Sequence, residues 1–192
     1  MRLLKASYSV RAILLDRDGV INRQPPEGEY VTKVADFWIY PHAAEAIAEL
    51  VDGGYEVFVV TNQRGIARGM IDPAELDRIH SEMIRAIEQA GGRIRRIYVC
   101  PHDYSDGCTC RKPNPGMLLQ AIRDHHIDPT ESWMIGDSAS DMIAGRAAGC
   151  NTLFVGPETA GVEADAFAAS LGEASRTIRM LGKGFPGHCP EH

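Results

Sequence analysis

Leu15-Asp16-Arg17-Asp18-Gly19-Val20-Ile21-Asn22 follows directly on the apolar run Ala12-Ile13-Leu14-Leu15. A short run of aliphatic residues that stops on charge reads as a buried strand ending in a turn. Asp16 then projects from the strand tip, Asp18 lies on the turn just beyond it, and Gly19 lets the chain bend sharply. Two carboxylates this close repel each other unless a cation or a shared proton is present. Alone, Asp-x-Asp reads more simply as a solvated acidic turn or a helix N-cap. Its meaning depends on what the rest of the chain places beside it.

The same pattern recurs along the chain. Apolar runs at 56–60, 96–99, 133–136 and 152–155 are bounded by polar residues or glycine, as buried strands are. Between them, helical spacing predicts helices over about 42–52, 73–90, 115–126, 139–148 and 171–181. Asp72-Pro73 supplies an N-cap and a first-turn proline, and Gly53-Gly54, Gly91-Gly92 and Gly149 supply stops. Strand–helix alternation predicts a parallel sheet with helices on both faces. In such folds ligands bind beyond the carboxyl ends of the strands. Four of these strands end on Asp16, Thr61, Cys100 and Asp137.

Three further motifs sit at those ends. In Val60-Thr61-Asn62-Gln63, a hydroxyl followed by turning backbone amides can hold a phosphate oxygen, or can simply cap the strand. In Arg111-Lys112-Pro113-Asn114-Pro115, two cations precede a proline-initiated helix. That is a poor place for positive charge unless a buried anion compensates. In Gly136-Asp137-Ser138-Ala139-Ser140-Asp141, the serines and Asp141 form a capping sequence, and Asp141 can cap the helix while also serving a site. A fifth motif, Cys100-Pro101-His102 and then Cys108-Thr109-Cys110, offers three thiols and one imidazole on one loop. Zn²⁺ suits such soft donors, and a filled Cys₃His set is structural rather than catalytic.

Acidic pair, Thr, Lys and second acidic site, in this order on successive strand ends, resemble the motif set of the haloacid dehalogenase superfamily. Asp16-Arg17-Asp18-Gly19 is the phosphatase form of its signature. The likeness runs from Ala12 to about Leu181. The cysteine loop leading into Arg111-Lys112-Pro113 is similar to the subfamily of heptose-bisphosphate phosphatases and histidinol phosphatases. Gly28-Glu29-Tyr30-Val31, Gly65-Ile66-Ala67-Arg68-Gly69 and Asn114-Pro115-Gly116-Met117-Leu118-Leu119 look like the heptose enzymes. That pattern often has Ser at Arg64 and Lys at Ser138, and the five-residue gap after His102 also occurs in the histidinol pattern.

The resemblance implies a Rossmann-like three-layer α/β/α core with a mostly parallel sheet, a zinc-binding loop and an aspartyl-phosphate mechanism. Asp16 is then the nucleophile and Asp18 the general acid and base. Thr61 and Lys112 hold the transferring phosphoryl oxygens, and Asn62 and Gln63 help orient it. Mg²⁺ lies between Asp16, Asp137 and the Asp18 backbone carbonyl, and structural Zn²⁺ between Cys100, His102, Cys108 and Cys110. Arg111 is placed to meet substrate hydroxyls or a second phosphate, as is Arg64 from its position alone. The implied substrate is a small sugar phosphate. Heptose 1,7-bisphosphate losing its 7-phosphate, in lipopolysaccharide or nucleotide-heptose precursor synthesis, stands first and histidinol phosphate second. A catalytically silent binding protein on this fold and a nucleic-acid 3′-phosphatase are the competing classes.

Composition narrows these. The chain has 192 residues, 44% hydrophobic and 24% charged, an ordinary globular balance. A formal charge of −6 argues against general nucleic-acid binding. No run of eighteen apolar residues occurs, and the first eleven residues do not resemble a signal peptide. Five cysteines, three of them clustered, fit reduced thiols in the cytoplasm better than a disulfide framework. A single domain over 1–192 is expected, with its core at about 12–181, the zinc loop at 100–110 and a tail at 182–192. Neither 22–56 nor 62–112 has room for a cap domain, so an open cleft is expected. A monomer is expected too, although no residue pattern in the sequence speaks to assembly.

Overall fold

The structure, a computed structural model, describes residues 10–158 and 161–182. The first residues, and the tail carrying His188 and Cys189, lie outside that range.

Six strands form one sheet: β1 (Ala12–Leu15), β2 (Glu56–Asn62), β3 (Arg96–Cys100), β4 (Trp133–Gly136), β5 (Asn151–Val155) and β6 (Ala166–Ala168). Their spatial order is β3-β2-β1-β4-β5-β6, and every pairing is parallel. Five of the six are the strands expected from sequence. β6 was not, because Ala166-Phe167-Ala168 is too short to show a pattern.

All four residues of β1 are fully buried, as parallel strands covered on both faces must be. Alternation along the strands sorts their side chains into two layers. Ile13, Leu15, Val57, Val59, Ile135 and Leu153 pack against α1 (Ala43–Asp52), α2 (Pro73–Gln89) and α5 (Leu171–Gly182). Ala12, Leu14, Phe58, Val60 and Met134 pack against α3 (Gly116–His125) and α4 (Ala139–Ala147). The helices lie where periodicity placed them, and the Asp72 side chain caps α2 by accepting from the Ala74 amide.

The chain leaves β1 toward β2 and β3 on one side, then returns to build β4, β5 and β6 on the other. That reversal opens a crevice beyond the carboxyl ends of β1 and β4. The connections after β1 and β2 carry, respectively, a 3-10 turn with α1, and α2.

Candidate active site

Asp16 is the first residue beyond β1, and its backbone amide donates to Ile135 of β4 at 2.9 Å. The turn that follows is closed by the amides of Ile21 and Asn22, which donate to the Arg17 carbonyl. Gly19 has φ +86, and a Cβ there would collide with the Asp137 carboxylate. Glycine is therefore needed twice over, for the turn and for the acid beside it.

Asp137 and Asp141 approach from β4 and the start of α4. Asp141 is fully buried and divided between two tasks. Its Oδ2 accepts from the Ser138 amide at 3.1 Å and the Ser138 hydroxyl at 2.6 Å, capping α4. Its Oδ1 lies 2.6 Å from Lys112 Nζ. Lys112 Nζ also lies 2.9 Å from Asp16 Oδ1, so one buried ammonium bridges two carboxylates. This is the anion that the Arg111-Lys112 sequence required.

Asp16, Asp137 and Asp141 bring carboxylate oxygens within 4.8 Å of one another. Burial pushes the Asp16 carboxyl up to about 8 against the pull of Lys112, with Asp141 adding repulsion. Burial and Asp141 push Asp137 up to about 6. Three crowded carboxylates facing one ammonium leave negative charge uncompensated. An all-oxygen donor set of this kind fits a hard divalent cation such as Mg²⁺.

Asp18 sits in a different environment. Arg17 donates to it three times, from Nη2 to Oδ1 at 2.9 Å and Oδ2 at 3.0 Å, and from Nε to Oδ1 at 3.2 Å. Asn22 Nδ2 donates to Oδ1 at 2.9 Å and Gln63 Nε2 to Oδ2 at 3.0 Å. The same Gln63 nitrogen reaches Thr61 Oγ1 at 2.8 Å, which puts Oδ2 on the Thr61 side. Asn62 clamps Lys112: its amide exchanges hydrogen bonds of 3.1 Å with the Lys112 carbonyl and backbone N–H.

On the rim, Cys100, His102, Cys108 and Cys110 converge. Cys100 Sγ lies 3.7 Å from Cys108 Sγ and 3.2 Å from Cys110 Sγ, and His102 Nδ1 lies 3.2 Å from Cys110 Sγ. A tetrahedral site with Zn–S near 2.3 Å has sulfur–sulfur edges of about 3.8 Å, so this soft-donor set fits zinc with small shifts. Burial pushes the Cys100 thiol up to about 12. Burial acts on Cys108 too, but the Arg111 amide and neighbouring thiols outweigh it and hold that thiol at about 7. Beside this cluster the guanidinium groups of Arg64 and Arg111 lie 4.6 and 4.3 Å from the Tyr104 ring centre. Arg64 also donates to Tyr30 Oη at 2.8 Å and pairs with Asp103 at 3.7 Å.

Sequence reasoning thus named the strand-tip residues and the cysteine loop, and the fold brings them together. It missed the buried Arg17, the support from Asn22, and His80. His80, which stands in no sequence motif, is buried on α2 with Nε2 3.2 Å from Arg17 Nη1. A charged residue inside a strand-tip motif was the available signal for Arg17. His80 gave none.

A parallel α/β sheet with acids, a lysine and a threonine at its switch point defines the class of HAD-type hydrolases. In agreement, residues 109–174 match the family model described as HAD-hydrolase-like. The D-glycero-β-D-manno-heptose-1,7-bisphosphate 7-phosphatase of Pseudomonas aeruginosa is 44% identical over 175 residues, which cover 91% of this chain and 87% of that protein. Its Neisseria meningitidis counterpart is 41% identical over 180 residues, covering 93% and 87%. The crystal structure of D,D-heptose 1,7-bisphosphate phosphatase from B. bronchiseptica, complexed with magnesium and phosphate, matches with a TM-score of 0.83 at 34% identity. That match covers 91% of this chain and 100% of the other. The chain belongs to the HAD-like family of heptose-1,7-bisphosphate 7-phosphatases.

Proposed function

We propose that this protein is a Mg²⁺-dependent phosphatase that converts D-glycero-β-D-manno-heptose 1,7-bisphosphate to the 1-phosphate through an aspartyl-phosphate on Asp16. The observation that carries the reading is the meeting of Asp16, Asp18, Thr61, Lys112 and Asp137 at one end of the sheet. The relatives' names supply the sugar and its anomer.

In the first step Asp16 attacks phosphorus, the bond from phosphorus to the sugar oxygen breaks, and Asp18 protonates that oxygen. In the second, Asp18 takes a proton from water as the water oxygen attacks phosphorus. The Asp16–phosphate bond breaks, and inorganic phosphate and the Asp16 carboxylate are released. Lys112 and Thr61 hold the phosphoryl oxygens where charge develops. Asn62, through its clamp on the Lys112 backbone, fixes that ammonium, and Gln63 ties Asp18 to Thr61. Asp16, Asp137 and the Asp18 carbonyl would hold Mg²⁺, with Asp141 beside them. When bound, Mg²⁺ supplies positive charge that lets an anionic ester approach an anionic nucleophile. Cys100, His102, Cys108 and Cys110 would hold structural Zn²⁺ and so anchor the loop carrying Arg111. Arg111 and Arg64 are the groups available to a second phosphate.

The test is kcat/KM for the heptose bisphosphate against histidinol phosphate and other monoesters. The bisphosphate is expected to lead. A clear lead for histidinol phosphate overturns the substrate. Asp16→Asn should lower turnover by at least about 10³-fold, since it removes the nucleophile. Survival of the rate places the activity elsewhere.

A further inference from the structure

Asp18 has an unusual neighbour in Arg17, a guanidinium with no exposed surface. A buried charge needs a partner for each of its donors. Nε and Nη2 are taken by Asp18, and Nη1 is met by His80 Nε2 at 3.2 Å, from a helix 63 residues away in sequence. The Phe37 ring lies 5.9 Å from the guanidinium carbon.

We infer that Arg17 and His80 are positioning residues, which aim the Asp18 carboxyl group for proton transfer. This rests on the reading of Asp18 as acid and base. The geometry is asymmetric in a useful way. Asp18 Oδ1 accepts from Nε and Nη2 of Arg17 and Nδ2 of Asn22, while Oδ2 accepts only from Nη2 of Arg17 and Nε2 of Gln63, which joins it to Thr61. The Arg17 fork, touching both oxygens, sets the angle of the carboxyl group, and Thr61 marks the side on which the phosphoryl group is held. The fork can keep that angle only if its own plane is fixed, and His80 supplies the third point. The imidazole must be neutral to accept from Arg17. Burial and the adjoining guanidinium hold its pKa down at about 4, so it is neutral at physiological pH. Remove the acceptor, and a buried N–H loses its partner and the fork can turn.

A role in proton transfer differs from a role in folding by its dependence on the leaving group. A sugar alkoxide needs a proton as it departs, whereas p-nitrophenolate leaves without one. The experiment measures kcat/KM, which reports phosphoryl transfer to Asp16, for the heptose bisphosphate and for p-nitrophenyl phosphate. His80→Leu keeps bulk and removes the acceptor, Arg17→Lys keeps charge and removes the fork, and His80→Gln restores an acceptor. His80→Leu and Arg17→Lys should lose about tenfold or more on the sugar phosphate, a fraction of what general acid catalysis contributes. On the aryl ester they should stay within about twofold of the parent, a change too small to represent lost acid catalysis. His80→Gln should recover most of the sugar-phosphate rate. Equal losses on both esters, or no loss on either, overturn the inference. If His80→Leu does not fold, Arg17→Lys and His80→Gln decide it by the same ratio. Asp18→Asn serves as the control. If it treats both esters alike, the reading of Asp18 fails. If it separates them while the Arg17 and His80 variants do not, only the positioning role fails.

Discussion

Lys112 is a cation with almost no route to water: its side chain is 1% exposed and lies between Asp16 and Asp141. Burial works against its charge, but Asp141 and Asp16 outweigh that and raise its pKa. Removing one partner from a buried ion pair strands the other charges. Lys112→Met should therefore lose about 3–5 kcal/mol in denaturant unfolding without divalent cations, as well as activity. An unchanged midpoint would show that water reaches the three carboxylates. Gly136 makes a similar case through space alone. A Cβ there would overlap the Asp141 carboxyl group. Gly136→Ala should displace Asp141 from Lys112, and misplacement on the order of 1 Å costs about 10²-fold in rate. Near-parental kcat/KM would mean the site tolerates the shift. Both residues stand in motifs visible from sequence. That Lys112 touches two acids at once was not visible, because Asp16, Lys112 and Asp141 come from the three separate connections that follow β1, β3 and β4.

Elements differ in how they are held. β1 has a whole sheet around it, whereas the loop from Pro101 to Pro115 has one 3-10 turn, Tyr104–Asp106, and little apolar material beyond Cys108 and Cys110. A metal held by Cys100, His102, Cys108 and Cys110 would do for the loop what a core does for a strand. Elemental analysis of reduced protein should find about one zinc per chain. A zinc chelator should speed amide exchange over residues 101–111 while β1 and β2 stay protected. Absence of zinc would remove this account, and exchange spreading through the sheet would make the metal a support of the whole core. The cysteine spacing announced the loop, because Cys100, His102, Cys108 and Cys110 can close on one ion within a single short segment. The stacking of Arg64 and Arg111 on Tyr104 was not announced. It depends on the loop after β2 meeting the loop after β3, a tertiary event.

At the scale of the whole molecule, helix and strand meet at His80, which joins α2 to the turn after β1. Its folded pKa of about 4 lies below the ordinary 6.5. Between those values the unfolded chain binds the extra proton, so stability is full above about pH 6.5 and falls as pH drops toward 4. The contribution is at most about 3 kcal/mol. Asp16 and Asp137, with raised pKa values, act in the opposite sense, so the comparison must be between parent and His80→Gln. The variant's urea midpoint should fall less steeply from pH 6.5 to 4. Parallel profiles would mean that His80 titrates normally in the fold. Among the described residues, no helix is long and apolar enough to cross a membrane.

The order of buried strands and amphipathic helices, the acidic pair, the lysine motif and the thiol cluster were all determined by the sequence alone. Each is a local matter of periodicity, turn chemistry or ligand spacing over a few residues. The short β6, the double engagement of Asp141 and the His80–Arg17–Asp18 contact were decided only in the tertiary structure. They rest on partners up to 63 residues apart whose meeting depends on strand order. A buried charge is tolerable only beside its partner, and that partner is chosen by packing rather than by any neighbour in the chain.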